Sequence, residues 1–176
     1  MTLAYHEYYK IEDHQLWKGD CELIKGMPYA MSPSPLYDHQ YINGKILRLL
    51  DEQLDNCTQY SATIEMNVIL SEDTVVRPDT MVICYEPEKQ LTKAPNIVFE
   101  VISKSTARRN KILKLELYQS EGVDYYILVY PEDRKAKLFQ LIDFKYQKFV
   151  DFTDENYLFK LDECEIIFDF TFIWRK

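Results

Sequence analysis

Apolar side chains recur at helical spacing over 37–55, where Tyr41, Ile42, Ile46, Leu47, Leu49, Leu50 and Leu54 mark one side of an amphipathic helix. A shorter helix is expected over 3–17, with Leu3, Tyr8, Ile11 and Leu16 as its apolar side. Between them, 21–24 and 27–31 read as two strands about a turn containing Gly26, and Ser32-Pro33-Ser34-Pro35 breaks the chain. Three strands follow at 63–70, 79–85 and 97–102, the first two separated by the turn at 71–74 and the last two by the proline-bearing loop 86–95. A helix over 106–121 ends at Gly122. Further strands fall at 124–130, 135–141, 144–150 and 164–168, and 170–174 forms a closing turn. The order predicts a single α/β domain over 1–176, built around one mixed sheet flanked by helices.

Composition narrows the class. The 176 residues are 47% apolar and 28% charged, and 21 basic against 29 acidic side chains leave a net charge of −8. Such a chain has enough apolar matter for one core. As a whole it is a poor polyanion binder, so contact with nucleic acid would need a local basic patch. Cys21, Cys57, Cys84 and Cys164 lie 36, 27 and 80 positions apart with no CxxC pair, which excludes a zinc ribbon. They are expected to be reduced and mostly buried in a cytoplasmic protein. No secretory leader is visible at the N-terminus, and no apolar run reaches membrane-spanning length.

The candidate chemistry starts at Glu100. Its strand is apolar on both faces, with Val98 and Ile102 on its own side and Ile97, Phe99 and Val101 on the other, as in a strand at the middle of a covered sheet. A carboxylate there costs several kcal/mol unless an ion pair, hydrogen bonds or a metal ion compensates it. If 79–85 and 97–102 pair as an antiparallel hairpin centred in the 86–95 loop, Asp79 faces Glu100. Two carboxylates in reach of each other suit a shared Mg²⁺ or Mn²⁺. The same register arithmetic puts Glu65 opposite Thr80, on the other face from Asp79.

Immediately after Glu100, residues 103–114 hold five cations and no acid, whereas 151–169 carries −6. Basic charge is thus concentrated beside the acid pair, where Arg108, Arg109 and Lys111 are the expected contacts to DNA phosphates. Ser105 or Thr106 can cap the following helix, on which Lys111 and Lys114 share one side and Leu113 and Leu117 another. Two acids, a lysine and a divalent ion match metal-assisted phosphodiester hydrolysis. The fourteen tyrosines read as core edges and interface material, not as platforms for stacked bases.

Pro78-Asp79 with Glu100-Val101-Ile102 resembles the PD-(D/E)XK nuclease signature, with Ile102 where the motif lysine usually stands. Over roughly 20–130 the chain is similar to one branch of that superfamily, the Uma-two family of restriction endonucleases. The matching stretches are Glu22-Leu23-Ile24-Lys25-Gly26, Ser32-Pro33, His39-Gln40, Arg77-Pro78-Asp79, Phe99 to Thr106, Lys114-Leu115 with Tyr118, and Gly122-Val123 with Tyr126. The resemblance implies a PD-(D/E)XK restriction-endonuclease-like core and a Mg²⁺-dependent DNA endonuclease. It implies Asp79 and Glu100 as metal ligands, Lys114 on the helix as charge stabiliser with Lys104 as the alternative, and Glu22 as an auxiliary acid. His39 and Ser103 are expected neighbours of the site. Cutting both strands of a duplex calls for two sites, hence a homodimer, with the aromatic strands at 124–150 as its candidate interface. Asn110 stands where the family has aspartate. Together with Ile102 and the net charge, it supports the rival expectation of a non-catalytic interaction protein on the same fold. Action on RNA or a nucleotide is not separable from action on DNA at this stage.

Overall fold

The computed structural model describes residues 7–31, 36–87, 89–102, 109–149 and 151–175, without the side chains of 109–111. It opens with a short helix α1 (Ile11–His14) and the hairpin β1 (Cys21–Ile24) and β2 (Met27–Ala30), then the long helix α2 (Tyr37–Leu54). Next come β3 (Ser61–Ile64), β4 (Val68–Ser71), β5 (Thr74–Val76), β6 (Thr80–Ile83) and β7 (Ile97–Val101). A π-helical turn (Arg109–Lys114) runs into α3 (Leu115–Ser120), followed by β8 (Tyr125–Tyr130), β9 (Lys135–Ile142) and β10 (Lys145–Lys148). The chain closes with β11 (Asn156–Leu161), β12 (Cys164–Asp169) and α4 (Phe170–Trp174).

The fold is mixed α/β, as the sequence predicts, but the strands form three sheets instead of one. A six-stranded sheet runs β10-β9-β8-β7-β6-β3, a four-stranded one β2-β1-β5-β4, and β11 pairs with β12. Within the large sheet only β7 and β8 are parallel. A parallel pair needs a crossover, which the π turn and α3 provide. The expected strand 63–70 divides between two sheets because Glu65 adopts a left-handed conformation (φ 48°) that ends β3 and turns the chain into β4. The expected helix over 3–17 is regular only at Ile11–His14 among the described residues, and residues 106–108 of the expected 106–121 helix lie outside them.

Strand β7 is buried throughout, as its double-sided apolar pattern requires. Ile97, Phe99 and Val101 join α2, β11, β12 and α4 in one core, where Phe99 meets Phe168 with ring centroids 5.1 Å apart. Val98 and Ile102 face a second core with Leu117, Tyr118, Tyr126 and Leu128. Glu100 shares that second face. Cys57 and Cys164 form a disulfide between the chain just after α2 and the start of β12, and Cys84 is exposed. Both findings correct the expectation of reduced, buried thiols. The core surrounding Cys164 brings the two sulfurs together across 107 residues of chain, a proximity that sequence spacing does not reveal.

Candidate active site

The hairpin of β6 and β7 sets the site. Its observed pairs, Thr80↔Phe99, Met81↔Val98 and Val82↔Ile97, follow the register in which Asp79 comes opposite Glu100. Asp79 lies one residue before β6, where Pro78 has no amide to offer a ladder. Its Oδ2 accepts the Val101 backbone N–H at 2.7 Å and lies 3.3 Å from His39 Nε2. Both contacts fall on Oδ2.

Lys114 reaches Glu100 from the crossover. Its Nζ donates to Glu100 Oε1 at 2.6 Å and pairs with Glu22 Oε1 at 2.7 Å, and all three side chains are buried. The π turn adds a residue to the helical repeat and so rotates the side chains that follow it. Lys114 points inward with Leu117 and Tyr118, three and four residues further on, as expected of the site lysine. Tyr118, one turn on, donates its hydroxyl to the same Glu100 oxygen at 3.4 Å. Glu22 arrives on β1 from the smaller sheet, and its Oε1 also accepts the Arg77 backbone N–H at 2.8 Å.

Two carboxylates, Glu22 and Glu100, meet the single ammonium of Lys114, and burial pushes the Glu100 carboxyl up to about 8 against the pull of Lys114, with Asp79 and Glu22 adding to the rise. Burial opposes the Lys114 charge too, but the two glutamates outweigh it and raise its pKa. At His39, burial works against protonation, while the hydrogen bond and charge of Asp79, with Glu100 and Glu65 behind it, raise the pKa overall. His39 Nδ1 is buried with no hydrogen-bond partner among the described residues.

Of the residues expected from the sequence, the structure therefore brings Glu22, His39, Asp79, Glu100 and Lys114 together. Ser103, Lys104 and Arg108 lie outside the described residues, as do the side chains of Arg109 and Lys111. One residue went unread and a second was misplaced. Asn43 is buried and donates to the Asp79 carbonyl at 3.1 Å while accepting from Thr80, holding α2 to the start of β6. Its signal was a lone amide within the apolar stripe of Ile42, Ile46 and Leu50. Glu65 is the other. The β3–β6 register pairs Ile64, not Glu65, with Thr80, which brings Glu65 level with Asp79 at the site's edge, where it accepts from Gln40 at 2.9 Å. The arithmetic had treated 63–70 as one unbroken strand and missed by one residue.

Among the described residues no three His, Cys, Asp or Glu side chains cluster as a protein-only metal cage. No helix of the described chain is long and apolar enough to cross a membrane.

A mixed sheet carries the paired acids at the mouth of its central hairpin, with a lysine delivered by the crossover. A crystal structure of a putative nuclease belonging to DUF820 from Anabaena variabilis ATCC 29413 is similar to this chain with a TM-score of 0.78 at 13% identity. The match covers 94% of this chain and 97% of that one. The Uma2 family model, described as putative restriction endonuclease, matches residues 5–161, and the chain belongs to that family. No curated protein matches it.

Proposed function

We propose that this protein is a metal-dependent DNA endonuclease whose site is Asp79, Glu100 and Lys114, with Glu22 as auxiliary acid. The observation that carries the reading is the convergence of these side chains from four places in the chain, β1, the start of β6, β7 and the π turn, with two carboxylates on the one ammonium of Lys114. The donor set fits a hard divalent cation. Asp79 and Glu100 offer carboxylate oxygen, and Mg²⁺ or Mn²⁺ bound by so few protein ligands completes its shell with water and phosphate oxygens. When bound, such an ion supplies Lewis-acid polarisation of the phosphate and a more acidic water.

The chain's own residues do the positioning. The Val101 amide and His39 orient Asp79, Glu22 and Lys114 lock Glu100 in place, and the Lys114 ammonium adds positive potential toward a phosphate whose charge grows in the transition state. Asp79→Asn keeps the hydrogen-bonding shape yet removes a charge. We expect it, and Glu100→Gln, to lower Mg²⁺-dependent cleavage of a supercoiled plasmid by about 10³-fold, or about 4 kcal/mol of barrier. Circular dichroism should show both variants folded. Cleavage at the wild-type rate in both overturns the assignment.

A second reading, a nuclease-fold binding protein without catalysis, is favoured by one observation: Lys114 is buried and already engaged by two carboxylates. Calorimetric titration separates the two readings, since a silent site takes up neither Mg²⁺ nor Mn²⁺.

A further inference from the structure

Asp79 lies one residue ahead of β6, outside the ladder that fixes Glu100 within β7. Its place therefore depends on contacts from other elements, and α2 supplies two of them. His39 and Asn43 stand one turn apart on that helix, so their side chains share a face. His39 Nε2 lies 3.3 Å from the Asp79 carboxylate, and Asn43 Nδ2 donates to the Asp79 backbone carbonyl at 3.1 Å. From the same turns of α2, Gln40 donates to the Glu65 carboxylate at 2.9 Å, and the Glu65 N–H reaches the Asp79 carbonyl at 3.2 Å.

Asn43 and its second partner, Thr80, are both fully buried. A carbonyl can only accept, so the Asn43 amide turns its nitrogen to Asp79 and its oxygen to Thr80. The Thr80 hydroxyl donates to that oxygen and so fixes which way the amide faces. The surroundings do not call for a polar pair. Ile42, Ile46 and Leu50 flank Asn43 in the buried stripe of α2, and Met81 and Val82 follow Thr80 in β6. An apolar pair of the same shape would hold the core about as well, so the pair is explained by what it grips.

We infer that Thr80, acting through Asn43, is a positioning residue that sets how tightly the Asp79–Glu100 site holds a divalent cation. The inference rests on the nuclease reading, in which Asp79 is a ligand. Without the Thr80 hydroxyl, the Asn43 oxygen is left buried and unsatisfied, and the amide loses its fixed orientation. The Asp79 carbonyl then loses its grip on α2, and the carboxylate is presented to the ion less uniformly. Groups that orient a metal ligand at one remove are worth about 10–100-fold in metal affinity.

Calorimetric titration of the full chain with MnCl₂, with urea denaturation alongside, tests this without calling on catalysis. Thr80→Val removes the hydroxyl at near-constant volume, and Thr80→Ser keeps it. Thr74→Val is the control. It deletes another buried threonine hydroxyl, on β5 of the small sheet, which donates to Asp73 at 2.9 Å and accepts from the Lys25 N–H at 3.1 Å. Thr80→Val should weaken Mn²⁺ binding by about tenfold. Thr80→Ser should restore it, and Thr74→Val should lose stability at wild-type affinity. Thr80→Ala carries the same expectation should the valine variant fail to fold. Wild-type affinity in the variants lacking the Thr80 hydroxyl, or an equal loss in Thr74→Val, overturns the inference, while Mn²⁺ uptake by the wild type leaves the nuclease reading standing. A wild-type protein that takes up no Mn²⁺ overturns both.

Discussion

Lys114 is a buried ammonium clamped between Glu22 and Glu100, and its removal leaves two carboxylates facing each other in a dry core. Breaking a buried pair in this way costs about 3–5 kcal/mol, far more than the pair adds over a well-packed apolar substitute. Lys114→Met should lower the urea-unfolding free energy at pH 7 by that amount, and adding Glu22→Gln and Glu100→Gln should restore much of it. Glu100 also sets a pH dependence. Its carboxyl is raised from the ordinary 4.5 to about 8, so the folded state binds the proton more tightly than the unfolded chain does. Its favourable contribution is fully present below about pH 4.5 and is lost as pH climbs toward 8. Denaturation midpoints of the wild type should therefore fall, relative to Glu100→Gln, across pH 5 to 8; parallel curves would show that Glu100 titrates as an ordinary glutamate. That Glu100 had a partner was legible from its strand alone, since a carboxylate between two apolar faces demands one. Which cation answered it did not follow from the strand: Lys114 was expected only from the family resemblance, and its clamp between Glu22 and Glu100 comes from the joint burial of the three side chains.

At the scale of elements, the hairpin of β6 and β7 was readable because the proline-bearing loop 86–95 marks where the turn must fall and so centres the register, and the observed pairs follow it. The helix end at Gly122 was readable for a related reason. Gly122 adopts φ 77°, its N–H reaches the Gln119 carbonyl, and the Val123 N–H closes onto the Tyr118 carbonyl at 3.0 Å. A Cβ there meets nothing within 4 Å, so the cost of Gly122→Ala is conformational alone. About 1 kcal/mol of destabilisation is expected in thermal melts. This turn holds Tyr118 and Lys114 in place over β7, so the loss should fall on the site as well. By contrast, the division of 63–70 at Glu65 breaks no compositional rule, since a glutamate with positive φ is chosen by the two sheets it connects and not by local preference. Strand β11 escaped notice for a similar reason. Its buried Phe159 and Leu161 take on meaning only against Phe99 and Phe168 in the facing core.

Across the whole molecule, the disulfide ties the segment after α2 to β12, the hairpin partner that closes the core on the face away from Glu100. Thiol titration of the denatured, unreduced protein should count two free cysteines, Cys21 and Cys84, and four after reduction. A count of four before reduction would remove the cross-link. Because the loop it closes spans 107 positions, Cys57→Ser is expected to cost up to about 4.7 kcal/mol on the chain-entropy account. The layering also explains how a chain of net charge −8 can belong to a nuclease-like family. Its acidic stretch 151–169 supplies β11 and β12, which pack on the core face opposite Glu100, while Asp151 at its start is answered by Lys135 and Lys148.

By itself the sequence determined those features that rest on short-range pattern: α2, the β1–β2 and β6–β7 hairpins, the buried central strand and the two acids brought level by its register. These follow from periodicity and turn chemistry, which act within a few residues. The tertiary structure alone decided the division into three sheets, the pairing of Cys57 with Cys164, and the clamp of Glu22 and Glu100 on Lys114. Each of these depends on the burial of groups far apart along the chain, and local pattern carries no record of which distant partner will offset the cost.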